Sequence, residues 1–483
     1  MIESWFIYDP GAPLLFNSSL FLGLFLAFYF IYIFIHKYGN LRTAYVLIFS
    51  LFFYYKVGEM YFILLIVSAI INYYLSLCQS KTESPAGRKI FITLSVLVNL
   101  GILAYYKYTN FAIENINAAA NTNIPLQSII LPIGISFYVF QAISYSIDVY
   151  RREIEPARNL LDFSFYLCYF PQLVAGPIVR AKSFIPQMYQ KLCLSKEDMG
   201  MAIFLILVGL VKKAVISDYI SVNFVDRVFD SPGSYTSLEN LLATYGYSIQ
   251  IYCDFSGYSD MAIGLALLMG FRIPINFRTP YKSASVTEFW RRWHISLSSW
   301  LRDYLYISLG GNRKGKLRTY ANLLLVMLIG GLWHGASWKF VAWGGLHGLA
   351  LAVERFLNRF IKLPESIFIR IIGVILTFHF VSFCWIFFRA KDFGTAMELI
   401  GKIALVNFQV DQWLLVLSAY KNVLIVLLAG FIMHFLPDRF VQWLQRGFIQ
   451  ANIIVKAVII GLVFWLVQAI ASSDVQPFIY FQF

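Results

Sequence analysis

Apolar windows long enough to cross a membrane recur along this chain, and that recurrence limits the possible folds more than any other feature. A helix needs roughly 17 to 25 mostly apolar residues to cover the hydrocarbon core. Windows approaching or reaching that length fall at Leu14–His36, Leu41–Lys56, Met60–Leu77, Ile90–Tyr106 and Ile129–Tyr150. Others follow at Met201–Ile220, Leu238–Cys253, Tyr258–Phe271, Tyr320–Trp333, Phe340–Ala352, Ile367–Phe388, Val423–Phe435 and Ile453–Ile470. These runs are continuous, whereas a transmembrane barrel would show short alternating segments. Only 13% of the 483 residues are charged, about half the share usual in soluble domains. The expected fold is all-α: a polytopic transmembrane helical bundle with re-entrant or interfacial helices, forming one integral-membrane domain over residues 1–483. No soluble domain, linker or internal repeat is visible.

The loops give an orientation. Residues 1–13 carry Glu3 and Asp9 and no base, and the Asn-rich loop 108–128 also lacks a base. Loops 37–42, 78–89 and 151–160 carry Lys37 and Arg42, Lys81, Arg88 and Lys89, and Arg151, Arg152 and Arg158. By the positive-inside rule the basic loops face the cytoplasm and the amino terminus lies outside. Leu14–His36 is too long for the apolar core of a cleavable signal peptide, so it reads as a retained first span. The base-free tail Asp474–Phe483 reads as external. Residues 161–178 are apolar but interrupted by Pro171, Gly176 and Pro177, which suits a re-entrant or interfacial segment.

The net charge of +13 sits in short loops, which fits membrane orientation and anionic headgroups rather than nucleic acid. Cys78, Cys168, Cys193, Cys253 and Cys384 form no paired or metal-ligand spacing, so they read as small apolar packing residues.

Histidine carries the chemistry. His334 ends the stretch Ala321–His334, which contains no formal charge. An ionisable group at membrane depth is costly and marks a functional site by default. A buried neutral imidazole can act as general base toward a hydroxyl. Gly330, Gly331 and Gly335 beside it would admit a helix or substrate close to the backbone. The competing reading is a histidine that bonds a neighbouring helix. His294 lies in Glu288-Phe-Trp-Arg-Arg-Trp-His294, inside a stretch from Arg272 to Arg318 with ten Lys and Arg residues. Ser285-Val-Thr-Glu288 is a capping box. Beyond it, Trp290, Trp293, Leu297, Trp300, Leu301 and Tyr304 recur at helical spacing, opposite Arg291, Arg292, Ser298, Ser299 and Arg302. One amphipathic interfacial helix is predicted there, with His294 on its apolar face.

Other features carry weaker signals. His347, in Trp343-Gly-Gly-Leu-His347-Gly, is a further candidate against the competing reading of a packing or orienting residue, and His36, His379 and His434 read as structural. A metal site from His294, His334 and His347 lacks a nearby carboxylate or a recognisable ligand spacing. Asp254 and Asp260, six apart between apolar runs, could orient a histidine, bind a cation, or simply cap and turn. The basic run Leu309–Arg318 lacks a nucleotide-binding loop pattern. It is either a topology signal or a lure for an anionic donor such as a coenzyme A thioester or an acyl carrier.

Several motifs occur in one order: Gln250-Ile-Tyr-Cys-Asp-Phe-Ser-Gly-Tyr-Ser-Asp-Met-Ala-Ile-Gly, Pro274-Ile-Asn-Phe-Arg-Thr-Pro-Tyr281 and Phe289-Trp-Arg-Arg-Trp-His-Ile-Ser-Leu. Leu301-Arg-Asp-Tyr-Leu-Tyr, Gly310-Gly-Asn-Arg and Gly331-Leu-Trp-His-Gly-Ala follow. In them the chain resembles the membrane-bound O-acyltransferase family, in the bacterial branch of alginate O-acetyltransferases and D-alanyl teichoic-acid transferases. The resemblance is densest from about residue 130 to 350. It implies a helical bundle around a central tunnel and transfer of an acyl group to a hydroxyl. It implies His334 and His294 as the catalytic pair. Trp293, Arg291, Arg292, Asn276, Asp303, Trp333 and Arg313 are expected to bind substrate or donor.

The expected function is O-acetyl transfer from a cytoplasmic thioester such as acetyl-CoA toward a cell-surface or secreted polysaccharide, at the inner membrane. No bound cofactor or metal is expected. The expected partners are the bilayer, an extracytoplasmic acetyltransferase or the polysaccharide acceptor, and an acyl carrier protein as an alternative donor. The rivals are D-alanyl transfer to teichoic acid, a transporter or flippase of an acylated carrier, and a non-catalytic membrane anchor. A transporter would be expected to show more intramembrane charge or visible repeats.

Overall fold

The computed structural model describes residues 5–11, 13–191, 193–361, 364, 366–405, 410–470 and 478–479. Glu3 and most of the tail Asp474–Phe483, both used above for orientation, lie outside the described residues. Every regular element among the described residues is helical, as a chain of long apolar runs requires when all backbone groups must be satisfied internally. Contacts divide the chain into two units. The first comprises residues 1–202 and 262–274, and the second residues 203–261 and 275–483.

The helices in chain order are α1 (Ser19–Ile35), α2 (Gly39–Gly58), α3 (Phe62–Lys81), α4 (Pro85–Leu103), α5 (Thr109–Ala120), α6 (Ile135–Tyr150), α7 (Leu160–Cys168), α8 (Phe170–Leu173) and α9 (Ala181–Met188). They continue as α10 (Lys196–Leu210), α11 (Asp218–Ile220), α12 (Asp226–Asp230), α13 (Ser237–Leu268), α14 (Val286–Arg292), α15 (Ile295–Trp300), α16 (Lys316–His334) and α17 (Trp338–Leu357). The last are α18 (Ile367–Arg389), α19 (Phe393–Ala404), α20 (Val410–Ala419), α21 (Lys421–Phe435), α22 (Asp438–Gln450) and α23 (Ile453–Ile470). Among the described residues five helical stretches are long and apolar enough to cross a membrane: Gly39–Lys81, Pro85–Ala120, Lys196–Asp230, Ile367–Arg389 and Ile453–Ile470. Residues 412–419 and 421–435 would add a sixth if taken as one span, bent by 76°. The chain is a multi-pass membrane protein.

Three expectations need correction. Leu238–Cys253 and Tyr258–Phe271 are not two spans, because α13 runs unbroken through the Asp-Phe-Ser-Gly sequence between them. Small and polar residues there looked like a turn, but Gly257 is tolerated inside the helix because it lets Gly209 approach closely. A Cβ added at Gly257 would lie 2.8 Å from the Gly209 carbonyl oxygen. The Asn-rich region is not all loop. A π-turn at Ala104–Tyr108 carries α4 on into α5, which ends at Asn121 in the left-handed conformation. The third, the break at His294, belongs to the site described below.

In the first unit, Phe170 forms an aromatic centre with Phe16, Phe21, Phe25, Phe28, Phe49 and Phe53, at ring distances of 5.2–6.3 Å. The segment carrying it is interrupted, as expected, between α7 and α8. A buried amide–hydroxyl network ties α3, α4 and α6 together. Asn99 Nδ2 donates to Asn72 Oδ1 at 2.6 Å, Ser95 Oγ donates to Asn72 Oδ1 at 2.9 Å, and the Ser95 and Ser146 hydroxyls bond each other at 2.8 Å. Such contacts join helices where burial of apolar surface gives no advantage over lipid.

In the second unit α16 and α17 pack through glycines. A Cβ at Gly331 would lie 2.2 Å from the Phe340 carbonyl oxygen, and one at Gly344 would lie 2.3 Å from that of Met327. Larger residues would hold the helices apart. After α10 the helix widens into a π-turn over Val211–Ser217. There Lys213 pairs with Asp254 at 2.6 Å and Asp218 at 2.8 Å, and Lys212 with Asp260 at 2.7 Å.

Candidate active site

The site grows from the helix pair α14–α15. The capping box forms with its reciprocal half shifted by one residue: Ser285 Oγ accepts from the Glu288 amide at 3.2 Å, while Glu288 Oε2 accepts from the amide of Ala284, just before the cap, at 2.8 Å. Burial would raise the Glu288 pKa. The Ala284 amide and the Arg292 and Arg370 guanidiniums outweigh it and hold the carboxyl below its usual range.

The predicted continuous helix then breaks. Trp293 is extended, and His294 takes φ 42° and ψ 54°, a left-handed conformation that costs roughly 1–2 kcal/mol for a residue with a side chain. The reason is a competing partner. The Ile295 amide donates to the Asn276 carbonyl at 3.0 Å, and the Ser296 amide and hydroxyl donate to Asn276 Oδ1 at 3.2 and 2.9 Å. In an unbroken helix those amides would turn back to the carbonyls of residues 291 and 292. The Arg292 carbonyl instead accepts from the Arg278 amide at 3.0 Å. Helical spacing correctly placed His294 inside the protein, where it is fully buried, but for the wrong geometric reason.

This break orients the ring. His294 Nδ1 lies 3.2 Å from Asn276 Oδ1. That oxygen already accepts from the Ser296 amide, so it is an acceptor and Nδ1–H donates. The tautomer leaves the lone pair on Nε2, the nitrogen able to take a proton. His294 lies outside the long apolar helices, and its burial lowers its pKa, which keeps the ring neutral. Phe255 meets the imidazole edge-on at 4.7 Å.

His334 closes α16 and is buried. Its ring centroid lies 6.4 Å from that of His294. Trp333, Trp343 and Phe388 wall it at 5.0, 5.1 and 5.2 Å. Gly335 permits that wall: a Cβ there would lie 2.0 Å from the Phe340 ring, which packs on Phe388 at 5.1 Å. His347, thirteen residues on, is fully buried behind Trp343 at 4.9 Å, and its Nδ1 accepts from the Trp290 indole at 3.3 Å. The structure therefore brings His294 and His334 together and places His347 behind them. His434 Nε2 accepts from the Tyr281 amide at 3.1 Å, while His36 and His379 bond carbonyls one turn earlier on exposed helix faces. Among the described residues no group of three metal-ligating side chains converges.

The other expected site residues divide. Asn276 supports the His294 loop, and Trp333 touches both rings, at 6.1 Å from His294. Trp293 packs inward on Phe277 and Trp385 at 5.0 and 4.9 Å. Arg292 pairs with Glu288 at 2.8 Å, and Asp303 with Arg302 at 2.8 Å. Arg291 lines a cavity of about 460 Å³ that apolar side chains such as Trp290, Leu301 and Met327 share with Arg302 and Arg355. Arg313 sits in the exposed turn after Gly310.

Sequence reasoning missed the lysines. Asp254 and Asp260 do bind cations, but these are the ammonium groups of Lys213 and Lys212. The signal was present: two adjacent lysines interrupt the apolar window Met201–Ile220, and intramembrane charge demands a partner. It also missed what Asp254 holds. Its second oxygen accepts from the Ile479 amide at 3.0 Å, and Phe478 packs on Phe255 at 5.4 Å and Tyr258 at 5.0 Å.

Comparison with known proteins gives the family and the reaction class. The profile of the membrane-bound O-acyltransferase family matches residues 51–393. The chain belongs to that family. It is an O-acyltransferase. It is 37% identical over 502 aligned residues to the "Probable alginate O-acetylase AlgI" of Pseudomonas putida, covering 97% of this chain and 100% of that protein. The "Peptidoglycan O-acetyltransferase" of Helicobacter pylori is 36% identical over 417 residues, 80% of this chain and 79% of that one. The "Teichoic acid D-alanyltransferase" of Bacillus subtilis is 28% identical over 342 residues, 63% of this chain and 85% of that one.

Proposed function

We propose that this acyltransferase moves an acetyl group from a cytoplasmic thioester, such as acetyl-CoA, toward hydroxyls of a cell-surface or secreted polysaccharide at the inner membrane. His334 removes the acceptor hydroxyl proton as that oxygen attacks the thioester carbonyl. The C–S bond breaks, the ester C–O bond forms, and the proton passes from the imidazolium to the departing thiolate. His294, with its basic Nε2, positions the donor or relays that proton. The observation that carries the reading is the pair of buried imidazoles 6.4 Å apart within aromatic walls. A single reacting group between them could reach both, and excluded water would strengthen every polar contact made there. Acetyl rather than D-alanyl transfer is favoured by identity: 36% and 37% to the relatives named as acetylating proteins, against 28% to the one named a D-alanyltransferase. An extracytoplasmic acetyltransferase would place the acetyl group on the polymer, and an acyl carrier protein is the alternative donor.

The test uses purified protein in lipid nanodiscs with radiolabelled acetyl-CoA and candidate polysaccharides. His334→Ala is expected to lose at least about a hundredfold in transfer, as removal of a general base does, while expression and unfolding temperature stay near wild type. His294→Ala is expected to be severely impaired and His347→Ala mildly so. Near-normal transfer by a well-folded His334→Ala protein would remove the assignment. Transfer only from a D-alanyl carrier protein would replace the acetyl group.

A further inference from the structure

A cavity of about 860 Å³ lies in the first unit at the start of α2, within the roughly 300–1,000 Å³ typical of ligand sites. Four cationic side chains line it, Lys37, Arg42, Arg158 and Lys191, with a single carboxylate, Asp162. That carboxylate is already engaged: it accepts from the Tyr189 hydroxyl at 2.8 Å and from Asn159 Nδ2 at 3.2 Å. Among the described residues no carboxylate pairs with any of the four cations.

Arg42 decides the reading. It is only 4% exposed. One terminal nitrogen donates to the Met188 carbonyl at 2.6 Å and the other to that of His36 at 3.4 Å. Its Nε–H has no acceptor among the described residues. A guanidinium so buried is costly without a counter-charge, and the cavity is where one can enter. The helix adds to the attraction. Tyr38, the residue preceding α2, makes no side-chain cap, and Gly39 and Asn40 of its first turn line the cavity. Their amides and the helix dipole favour an anion. A Cβ built on Gly39 would meet nothing within 4 Å, so a ligand can approach that backbone. Also lining the cavity, the Arg158 guanidinium lies 3.8 Å over the Tyr189 ring, a flat, cationic platform.

We infer that this cavity binds a phosphate-bearing anion, with its phosphate oxygens on Lys37, Arg42, Lys191 and the first turn of α2, and the rest of the ligand against the Arg158–Tyr189 pair. The smaller cavity beside Arg291 is cationic too, lined also by Arg302 and Arg355, but Arg302 there is already paired with Asp303 at 2.8 Å. Two sources share the chemistry: a soluble phosphorylated compound, such as the phosphate-rich handle of a thioester donor, and the headgroup of an anionic lipid. The inference goes beyond the histidine assignment and does not depend on it.

The experiment uses the full chain in phosphatidylcholine nanodiscs, titrated calorimetrically with inorganic pyrophosphate and with adenosine 3′,5′-bisphosphate. A parallel arm compares unfolding temperature in these nanodiscs with equimolar phosphatidylglycerol–phosphatidylcholine nanodiscs. Arg42 substitutions endanger folding, so the variants are Lys37→Gln/Lys191→Gln and Arg158→Ala. Saturable binding of either probe, weakened about tenfold by the double variant at low salt, supports the site with a soluble source. Stabilisation by phosphatidylglycerol that the double variant loses, without probe binding, supports it with a lipid source. Neither response, or responses that both variants leave unchanged, overturns the inference. His334→Ala protein is expected to bind as wild type does, which separates failure here from failure of the proposed mechanism.

Discussion

Substituting Gly344 by alanine tests whether the α16–α17 approach sets the histidine geometry. The new Cβ would lie 2.3 Å from the Met327 carbonyl oxygen and 3.3 Å from Leu328 Cα. Both are backbone atoms of α16, so no side-chain rotation can relieve the contact. Restoring an ordinary separation of about 3.4 Å requires the helices to part by about 1 Å. Trp343 and His347 on α17 would then move relative to His334 on α16. A misplacement of about 1 Å costs roughly a hundredfold in rate when reacting groups must be aligned. The overpacking itself costs about 1–3 kcal/mol. Gly345 supplies a matched control, because its Cβ would sit 3.6 Å from Leu328 Cδ2, an ordinary contact, and the change gains up to about 1 kcal/mol of helix propensity. The assay is acetyl transfer at saturating donor in nanodiscs, with thermal unfolding measured on the same samples. Gly344→Ala should fall about a hundredfold in kcat and Gly345→Ala should stay within about twofold. Equal activity of the two variants would refute the claim that the glycine contact aligns the site.

Lys213→Met should destabilise the protein by about 3–5 kcal/mol, because it leaves buried Asp254 and half-buried Asp218 without their cation. Adding Asp218→Asn and Asp254→Asn should recover much of that loss, and additive losses across this cycle in thermal unfolding would contradict the pairing. Glu288→Gln should cost about 0.2–1 kcal/mol at neutral pH, because glutamine can still accept from the Ala284 amide but loses the charge that pairs with Arg292 and Arg370. The Glu288 pKa is depressed in the folded state, so this stabilisation is fully present above the unfolded pKa and disappears as pH falls through the folded one. The difference in unfolding temperature between wild type and Glu288→Gln should therefore shrink on acidification, and a constant difference would count against it. Neutralising Arg313, Lys314, Lys316 and Arg318 with glutamine should raise the apparent KM for donor at low salt with little change in kcat. A KM that neither the variant nor salt alters would make the cluster a topology signal only.

Much of this protein could be read before folding. Long apolar windows force helices, because a backbone in lipid must satisfy its own hydrogen bonds, and the capping box marked where α14 begins. His334 was singled out by the mismatch between an ionisable ring and its uncharged span, and His294 by its place on the apolar face of a basic, Trp-rich segment and by the family motif. Local periodicity could not reveal that Asn276, eighteen residues away, takes the amides of residues 295 and 296. That competition breaks the helix and selects the histidine tautomer, and it exists only once the two segments meet. The same holds for Asp254: its sequence shows a carboxylate in an apolar run, while the identity of its cation depends on the widened turn of Val211–Ser217 facing α13. Glycines at 331 and 344 were visible as small residues, but only their mutual approach makes them irreplaceable. Composition and spacing determine which groups are costly to bury. Tertiary structure decides which partner compensates each one, because that partner is distant in sequence and the geometry between them arises only on packing.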